Sequence, residues 1–252
     1  MKNLIAIVAG EPNSINSEII AKAWKIIGNK KNLFIIGNYS LLKKQLNKIG
    51  IKTKVAEINS TKFNIDRKNL NVLNVPFKFS SIFPDNSVDT KNYVLSSLDV
   101  AHNLASKKKI KGFINAPIDK KIFSKKYLGV TEYLAHKNNV KNKEAMLIFN
   151  KKLSVMPLTT HLEIKNVTSK IRPNLIKRKI LTLNKTYFHI FKRLPKIAIL
   201  GLNPHNSENH LNSIENKIIK PVIKNLKKLR VNINGPYSAD TVFNNQKKLN
   251  YN

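Results

Sequence analysis

Short apolar runs that alternate with longer amphipathic segments are the feature that most constrains how this chain can fold. Apolar residues at helical spacing mark residues 17–27, 41–49, 93–106, 173–191 and 214–229. The short apolar runs occupy residues 4–8, 33–36, 70–75, 112–115, 145–149, 153–156 and 197–200. Because successive parallel strands need a crossover connection, usually a helix, this alternation predicts an α/β fold with a largely parallel sheet.

The segment 214–229 has the clearest helical periodicity, and it predicts one buried face. That face carries Ile214, Ile218, Ile219, Val222, Leu226 and Leu229. Residues 52–90 carry few regular signals and include Pro76 and Pro84. They predict a loop with one or two short strands.

The charge balance bears on possible partners, because 46 Lys and Arg face 14 Asp and Glu, a formal net charge of +32. Such a balance suits nucleic-acid phosphates. However, lysine is spread over the whole chain, and no aromatic residues are interleaved with its lysine runs for base stacking. We therefore expect no specific nucleic-acid partner, although anionic small molecules should be attracted to the protein.

Cysteine usage and hydropathy exclude several classes of site and location. The chain has no cysteine, so disulfides, thiolate catalysis and cysteine-based metal sites are excluded. The apolar run at residues 4–8 is too short for a signal peptide, and no stretch approaches the roughly 20 apolar residues of a membrane-spanning helix. We expect a cytoplasmic protein without membrane contact.

Polar residues follow several of the strand candidates, at the positions where open α/β sheets bind ligands. Gly10-Glu11-Pro12 opens the first helix, and taken alone this segment is better explained as a strand-to-helix turn with a capping residue than as a binding site. His161 and His205 each follow a strand candidate, after Thr159-Thr160 and Asn203-Pro204 respectively. Each could be a ligand, a base or a structural group. If both bind one metal, a third ligand must come from elsewhere, since catalytic sites usually have three protein ligands.

The remaining histidines are weaker candidates for ligands or catalytic groups. His102, His136 and His189 fall within predicted helices, and His210 lies in a polar loop near His205. Two further residues have several possible roles. Thr131 opens a helix and could present its hydroxyl and backbone N–H to an anion, and Asp240 could cap a helix, orient a histidine, or contact a metal or substrate.

Taken together and in order, these segments resemble the 4-hydroxythreonine-4-phosphate dehydrogenase family. The matching segments are Gly10-Glu11-Pro12, Ile114-Asn115-Ala116-Pro117-Ile118 with Lys120, Gly129-Val130-Thr131-Glu132, Leu158-Thr159-Thr160-His161-Leu162, Gly201-Leu202-Asn203-Pro204-His205, and Asn234-Gly235-Pro236 with Ala239-Asp240-Thr241. The resemblance implies a two-lobed, isocitrate/isopropylmalate-dehydrogenase-like fold over residues 1–252, and a homodimer. It also implies NAD-dependent oxidation of 4-phosphohydroxythreonine in pyridoxine 5′-phosphate biosynthesis.

The resemblance implies specific site residues. His161 and His205 would bind a divalent metal (zinc, magnesium or cobalt), Val130 and Thr131 would lie at the substrate, and Asp240 would support a ligand. Dehydrogenases of that fold bind NAD without a glycine fingerprint, and this chain has neither Gly-x-Gly-x-x-Gly nor a Walker-type loop.

The chain departs from the family pattern in two places. Val130 stands where the family has histidine in a Gly-His-Thr-Glu turn, and the segment that carries the family's third metal histidine in Tyr-His-Asp-Gln is not found before Asn252. We therefore expect a fold that is incomplete at its C-terminus. Two alternatives stay open, a sister enzyme that oxidises another phosphorylated hydroxy acid such as threonate 4-phosphate, and a non-catalytic remnant.

Overall fold

The computed structural model describes residues 4–27, 32–59, 63–85, 87–140, 143–150, 153–205 and 211–243, without the side chains of residues 124–126. The chain divides into two compact units, Met1–Leu134 and Ala135–Asn252. Each unit is an α/β structure with its own hydrophobic core.

The first unit is built from a parallel sheet and its connecting helices. Its elements are β1 (Ile5–Val8), α1 (Asn16–Ile27), β2 (Leu33–Gly37), α2 (Tyr39–Lys48), β3 (Val55–Ile58), β4 (Leu70–Asn74), α3 (Val88–Ser106), β5 (Gly112–Asn115), a 3₁₀ helix (Lys120–Lys126) and the start of α4 (Val130–Lys137). The five strands pair in the order β3-β4-β2-β1-β5, and every pair is parallel.

The central strands of this sheet are buried on both faces. In β2, Phe34 and Ile36 pack into a core with α3, whereas Leu33 and Ile35 pack into a second core with α1 and α2. Because successive side chains of a strand point to opposite faces, a strand covered on both sides must be apolar throughout. The continuous apolar runs therefore predicted these strands correctly.

The turn after β1 is tied to the loop after β5. Gly10 has φ +75°, and a Cβ atom there would lie 2.6 Å from Nδ2 of Asn16 and 2.7 Å from the carbonyl oxygen of Pro117. Nδ2 of Asn16 donates to the same carbonyl oxygen at 2.8 Å, and the Glu11 carboxylate accepts from the Asp119 backbone N–H at 2.9 Å. Gly10-Glu11-Pro12 thus has a structural role, because it fixes the carboxyl end of the sheet.

The second unit consists of a two-stranded parallel sheet packed on helices. Its elements are the end of α4, α5 (Ile164–Lys170), α6 (Pro173–Phe191), β6 (Ile197–Leu200), a π-helical turn (Glu215–Ile219), α7 (Lys220–Lys228) and β7 (Ile233–Tyr237). β6 and β7 are parallel, and their core residues include Ile176, Ile180, Ile199, Leu226 and Ile233. The prediction of a largely parallel α/β fold is confirmed.

The helix predicted for residues 214–229 is interrupted. Its first turn is π-helical, with the Lys220 N–H donating to the Glu215 carbonyl, and a regular α-helix follows from Lys220. Pro221 explains the change, because proline has no N–H and its ring crowds the preceding turn of an α-helix. The buried face is largely as predicted, with Val222 and Leu226 buried, but Leu229 is 55% exposed.

The strands predicted at residues 145–149 and 153–156 are wrong. The structure shows only an isolated antiparallel bridge, in which Ile148 and Val155 exchange two backbone hydrogen bonds of 2.8 Å. A strand requires a repeated ladder, and a single bridge leaves most backbone groups of these segments outside any sheet. β3 agrees with the prediction of one or two short strands within residues 52–90. The strand β7 and the helix α5 were not predicted, although the alternation Val231-Asn232-Ile233-Asn234 is a strand signal.

Within the described part of the chain, the helices are all too short or too polar to cross a bilayer.

Candidate active site

His205 lies in the turn that follows β6, at the carboxyl end of that strand. Its Nδ1 atom lies 3.2 Å from Oδ2 of Asp240, and 81% of the histidine side chain is exposed. A carboxylate at Nδ1 orients the imidazole and leaves Nε2 directed away from the carboxylate, the arrangement often found behind metal-binding histidines. Of the roles considered for Asp240, contact with a histidine is the one seen.

The segment that carries Asp240 is fixed to the His205 turn by its backbone. The Pro204 carbonyl oxygen accepts from the Ala239 N–H at 3.0 Å and from the Ser238 hydroxyl at 2.9 Å. These bonds hold Asp240 beside His205 although 35 positions separate them, and they account for the closeness of two segments that are remote in sequence.

Glu215, which follows the His205 turn in the sequence, also holds that turn by hydrogen bonds. The residue is 1% exposed. Its Oε1 atom accepts from the backbone N–H groups of Leu202 at 2.9 Å and Asn203 at 3.1 Å, and from Nδ2 of Asn203 at 3.3 Å. Sequence reasoning missed this residue. A signal was available, because Glu208 and Glu215 are the only acidic residues between positions 164 and 239.

His161 lies two residues before the N-cap of α5 and is exposed. Its φ is 57°, in the left-handed region that non-glycine residues seldom occupy. Such a conformation persists where the surroundings impose it and often marks functional segments. The structure therefore places this predicted ligand on an exposed turn with a constrained backbone.

The segments that lead to the two histidines line one groove. The groove has a volume of about 390 Å³ and lies within the second unit. Pro157, Leu158 and Thr159 line it ahead of His161, and Gly201 and Leu202 line it ahead of His205. Most of its other lining residues are apolar side chains of α6, β6 and the segment before α5. An apolar groove with a few polar groups at its rim is typical of a small-molecule site.

The donor chemistry of this region fits a metal only in part. Imidazole is the commonest metal ligand in proteins, and the Asp240 carboxylate supports His205 in a suitable way. However, no group of three His, Cys, Asp or Glu residues that could hold a metal ion occurs among the described residues. His210 lies outside the described residues. The metal roles of His161 and His205 therefore stay predictions.

Val130 and Thr131 lie in the first unit, in the first turn of α4. Thr131 is exposed, whereas Val130 is half-buried and packs against the core beneath α3. The helix is fixed to α3 by Tyr133, whose hydroxyl donates to Oδ1 of Asp99 at 2.5 Å. Burial, followed by this hydrogen bond and the Asp99 charge, raises the pKa of Tyr133, so its hydroxyl stays protonated as the donor. A contact of Val130 or Thr131 with substrate stays a prediction.

The other histidines that the structure describes lie on helices. His102 lies within α3, with its Nε2 atom 3.4 Å from the Ser106 hydroxyl, and His189 is exposed near the end of α6. His136 is exposed on α4. The structural roles expected for His102 and His189 stay predictions.

Solved structures with the same fold are dehydrogenases. A crystal structure of 4-hydroxythreonine-4-phosphate dehydrogenase from Klebsiella pneumoniae matches with a TM-score of 0.88 at 24% identity, over 100% of this chain and 79% of that one. A terephthalate 1,2-cis-dihydrodiol dehydrogenase from Burkholderia xenovorans matches with a TM-score of 0.65 at 17% identity. The fold is therefore that of the isocitrate-dehydrogenase-like α/β dehydrogenases, as predicted.

Sequence comparison defines the family within this class. The family described as pyridoxal phosphate biosynthetic protein PdxA matches residues 29–252. The 4-hydroxythreonine-4-phosphate dehydrogenases of Sulfurihydrogenibium sp. and Aquifex aeolicus are 34% and 32% identical, over 96% and 97% of this chain and 76% and 77% of their own lengths. The chain belongs to the PdxA family, and hence to the dehydrogenases of pyridoxal phosphate biosynthesis.

A relative with a different name is also similar. The putative D-threonate 4-phosphate dehydrogenase of Oceanobacillus iheyensis is 28% identical over 96% of this chain and 76% of its own length. The relatives of this chain thus bear names that refer to two different phosphorylated hydroxy acids.

Proposed function

We propose that this protein oxidises 4-phosphohydroxythreonine to 2-amino-3-oxo-4-phosphooxybutanoate with NAD as the hydride acceptor, and that the product then loses carbon dioxide. The observation that carries the proposal is the family match over residues 29–252, together with relatives at 34% and 32% identity that bear the name of this activity. The position of His205 and Asp240 at the carboxyl end of β6 supports it, because ligands of open α/β sheets bind there.

The proposed reaction balances without a further oxidant. The substrate's secondary alcohol carbon gives a hydride to the nicotinamide ring, and its hydroxyl gives up a proton, so that a ketone forms as NAD becomes NADH. The ketone is β to the carboxylate, which can therefore leave as carbon dioxide.

A divalent cation, when bound, would lower the pKa of the substrate hydroxyl and favour the developing alkoxide. In the proposal His161 and His205 each give one imidazole nitrogen to this cation. Asp240 holds the His205 ring through Nδ1, so that Nε2 is the nitrogen left to bind. At least one more ligand is required beyond those that the described residues bring together.

The proposed substrate contacts in the first unit are Val130 and Thr131. Thr131 is exposed in the first turn of α4, where a hydroxyl and free backbone N–H groups favour an anionic group. The high positive charge of the whole chain would add a favourable potential for a phosphorylated substrate and for a dinucleotide.

A second candidate substrate is D-threonate 4-phosphate. Val130 favours it, since the resemblance places a histidine there and valine removes one polar contact, and the Oceanobacillus iheyensis relative bears that name. The two substrates differ at the group on the carbon next to the carboxylate. A change in polar contacts near that group is therefore expected to alter the choice between them.

Parallel assays test the activity and the substrate. The purified protein with NAD and Zn²⁺, Mg²⁺ or Co²⁺ is supplied with each phosphorylated acid, and NADH formation is followed by absorbance. We expect a higher kcat/KM for 4-phosphohydroxythreonine. A higher value for D-threonate 4-phosphate would transfer the proposal to the second candidate, and no NADH from either acid would favour a non-catalytic protein.

Cation uptake tests the proposed metal ligands separately. We expect the variants His161→Ala and His205→Ala to lose the bound cation, measured as metal per protein after gel filtration. The matched control is His189→Ala, because His189 is an exposed histidine on α6. Unchanged stoichiometry in both test variants would contradict the metal assignment.

We also propose that the active form is a homodimer, as the family resemblance implies. Sedimentation velocity of the purified chain gives the mass directly. A monomer at micromolar concentration that still forms NADH would contradict this part of the proposal.

A further inference from the structure

We propose that Glu215 is a positioning residue for His205, acting through the turn that joins them. This inference rests on the proposed function only in taking His205 as part of the site. Glu215 is 1% exposed, and one of its carboxylate oxygens, Oε1, accepts three hydrogen bonds from Leu202 and Asn203. His205 lies two residues after Asn203 in the sequence.

The turn presents backbone donors at this place. β6 ends at Leu200 and the last bond to β7 is donated by Gly201, so the N–H groups of Leu202 and Asn203 fall beyond the ladder. An N–H group that folding removes from water costs about 1–3 kcal/mol if it finds no acceptor. A carboxylate is the strongest side-chain acceptor for two successive N–H groups.

Glu215 can hold the turn in place because it lies next to buried residues of the second unit. Glu215 belongs to the π-helical turn that precedes α7, and the nearby Ile219 and Val222 are part of the hydrophobic core of the second unit. Burying a carboxylate is unfavourable unless hydrogen bonds compensate it, and the turn supplies three such bonds to Oε1. A movement of the turn would break these bonds.

The other side of the turn is fixed independently. The Pro204 carbonyl oxygen accepts from Ser238 and Ala239, and Asp240 contacts the His205 ring. Residues 202–205 are therefore held between Glu215 and the segment 238–240. Side chains in functional sites need supporting hydrogen bonds to stay within about 0.5 Å of their working position, and these two sets supply them.

Two substitutions separate positioning from a general contribution to folding. Glu215→Gln keeps an oxygen at the Oε1 position and can accept the same bonds, whereas Glu215→Leu has a similar volume and accepts none. The readout is the set of ring ¹⁵N and ¹H resonances of His205, assigned by comparison with His205→Ala in the cation-free protein at constant pH. Hydrogen exchange of the Leu202 and Asn203 amides reports the bonds themselves.

We expect Glu215→Gln to retain the His205 resonances and slow amide exchange. In Glu215→Leu we expect the His205 resonances to move towards those of an imidazole without the Asp240 contact, with faster exchange at both amides. The control is Glu57→Gln, at an exposed position of β3. Unchanged His205 resonances in a folded Glu215→Leu protein would overturn the proposal, and so would equal changes in the Gln and Leu variants.

If Glu215→Leu fails to fold, Asn203→Ala decides the question, because it removes the Nδ2 donor and leaves Glu215 in place. We expect smaller shifts of the same His205 resonances in this variant. Identical spectra of Asn203→Ala and the unsubstituted protein would overturn the proposal.

Zn²⁺ affinity separates this inference from the proposed metal site. Loss of a supporting residue typically lowers metal affinity about 10- to 100-fold, and we expect a loss in that range for Glu215→Leu but not for Glu215→Gln. If the unsubstituted protein binds no Zn²⁺, the metal proposal fails. The His205 resonances of the cation-free variants then still decide whether Glu215 positions the ring.

Discussion

The contact between His205 and Asp240 orients the histidine ring but adds little to the stability of the fold. The histidine side chain is 81% exposed, and an ion pair this open to water adds little to the free energy of unfolding. The carboxylate does, however, orient the ring so that Nε2 points away from it, as the proposed metal site requires. The pair is thus expected to influence binding much more than folding.

Replacement of Asp240 by Asn tests this expectation. We expect Asp240→Asn to lower Zn²⁺ affinity about 10- to 100-fold, because a neutral amide holds the ring less firmly than a carboxylate does. The free energy of unfolding should change by no more than about 0.5 kcal/mol. Titration calorimetry and urea denaturation measure the two quantities. Asp89→Asn, at an exposed position of α3, is the control, and equal Zn²⁺ affinities in both variants would contradict the role of Asp240.

Tyr93 illustrates the opposite case, in which a buried contact supports the fold. Its hydroxyl accepts the Asn38 backbone N–H at 2.9 Å, just where β2 passes into α2. Burial raises the pKa of Tyr93, so the hydroxyl is neutral at physiological pH. Its loss would leave the Asn38 N–H group buried without this acceptor.

We expect Tyr93→Phe to lower the free energy of unfolding by about 1–3 kcal/mol, the usual cost of a buried donor that loses its acceptor. Urea denaturation followed by circular dichroism measures the change. Tyr39→Phe is the matched control, since the Tyr39 ring is only half-buried and packs at the edge of its core. An equally small effect of both substitutions would show that the Asn38 N–H finds another partner.

The strand pair β6–β7 depends on a close approach of two backbones. Gly235 has φ +123°, and a Cβ atom there would collide with the carbonyl oxygen of Ile199. Only glycine permits both the conformation and the contact. The segment that brings Asp240 to His205 follows directly after this strand.

We expect Gly235→Ala to destabilise the second unit by about 1–3 kcal/mol or more, because alanine is strained at this φ and must also displace Ile199. The Asp240 contact should be lost with it, which the His205 ring resonances would report. Gly112→Ala in β5 is the control, since a Cβ atom there would meet nothing within 4 Å. Equal stability of the two variants would contradict the requirement for glycine at position 235.

The net charge of +32 belongs to the whole molecule rather than to any one site. In the proposed function it attracts a phosphorylated substrate and a dinucleotide, and salt should weaken that attraction as the screening length falls from about 10 Å at 0.1 M to about 3 Å at 1 M. The same charge opposes compact folding through self-repulsion.

We therefore expect the dissociation constant of 4-phosphohydroxythreonine to rise steadily with NaCl, while the free energy of unfolding stays level or increases. Calorimetric titrations and urea denaturation over one salt series measure both. Affinity that is independent of salt would show that local contacts, such as those proposed for Thr131, dominate substrate binding.

The sequence by itself determined the layered α/β architecture, because the local spacing of apolar residues indicates which faces of the helices and strands are buried. Continuous apolar runs predicted β1, β2, β4, β5 and β6, and helical spacing predicted the long helices, including Pro173–Phe191 at its observed bounds. Ordered motifs also led to the family, since His161, His205 and Asp240 belong to segments that keep their order along the chain.

Tertiary structure decided what depends on contacts between remote residues. Nothing in the local pattern shows that Asp240 meets His205, that Glu215 accepts from Leu202 and Asn203, or that residues 145–156 form one bridge instead of two strands. A hydrogen bond between remote residues joins two segments, whereas apolar periodicity describes the residues of one segment only. The supports of the candidate site were therefore visible only once the chain had folded.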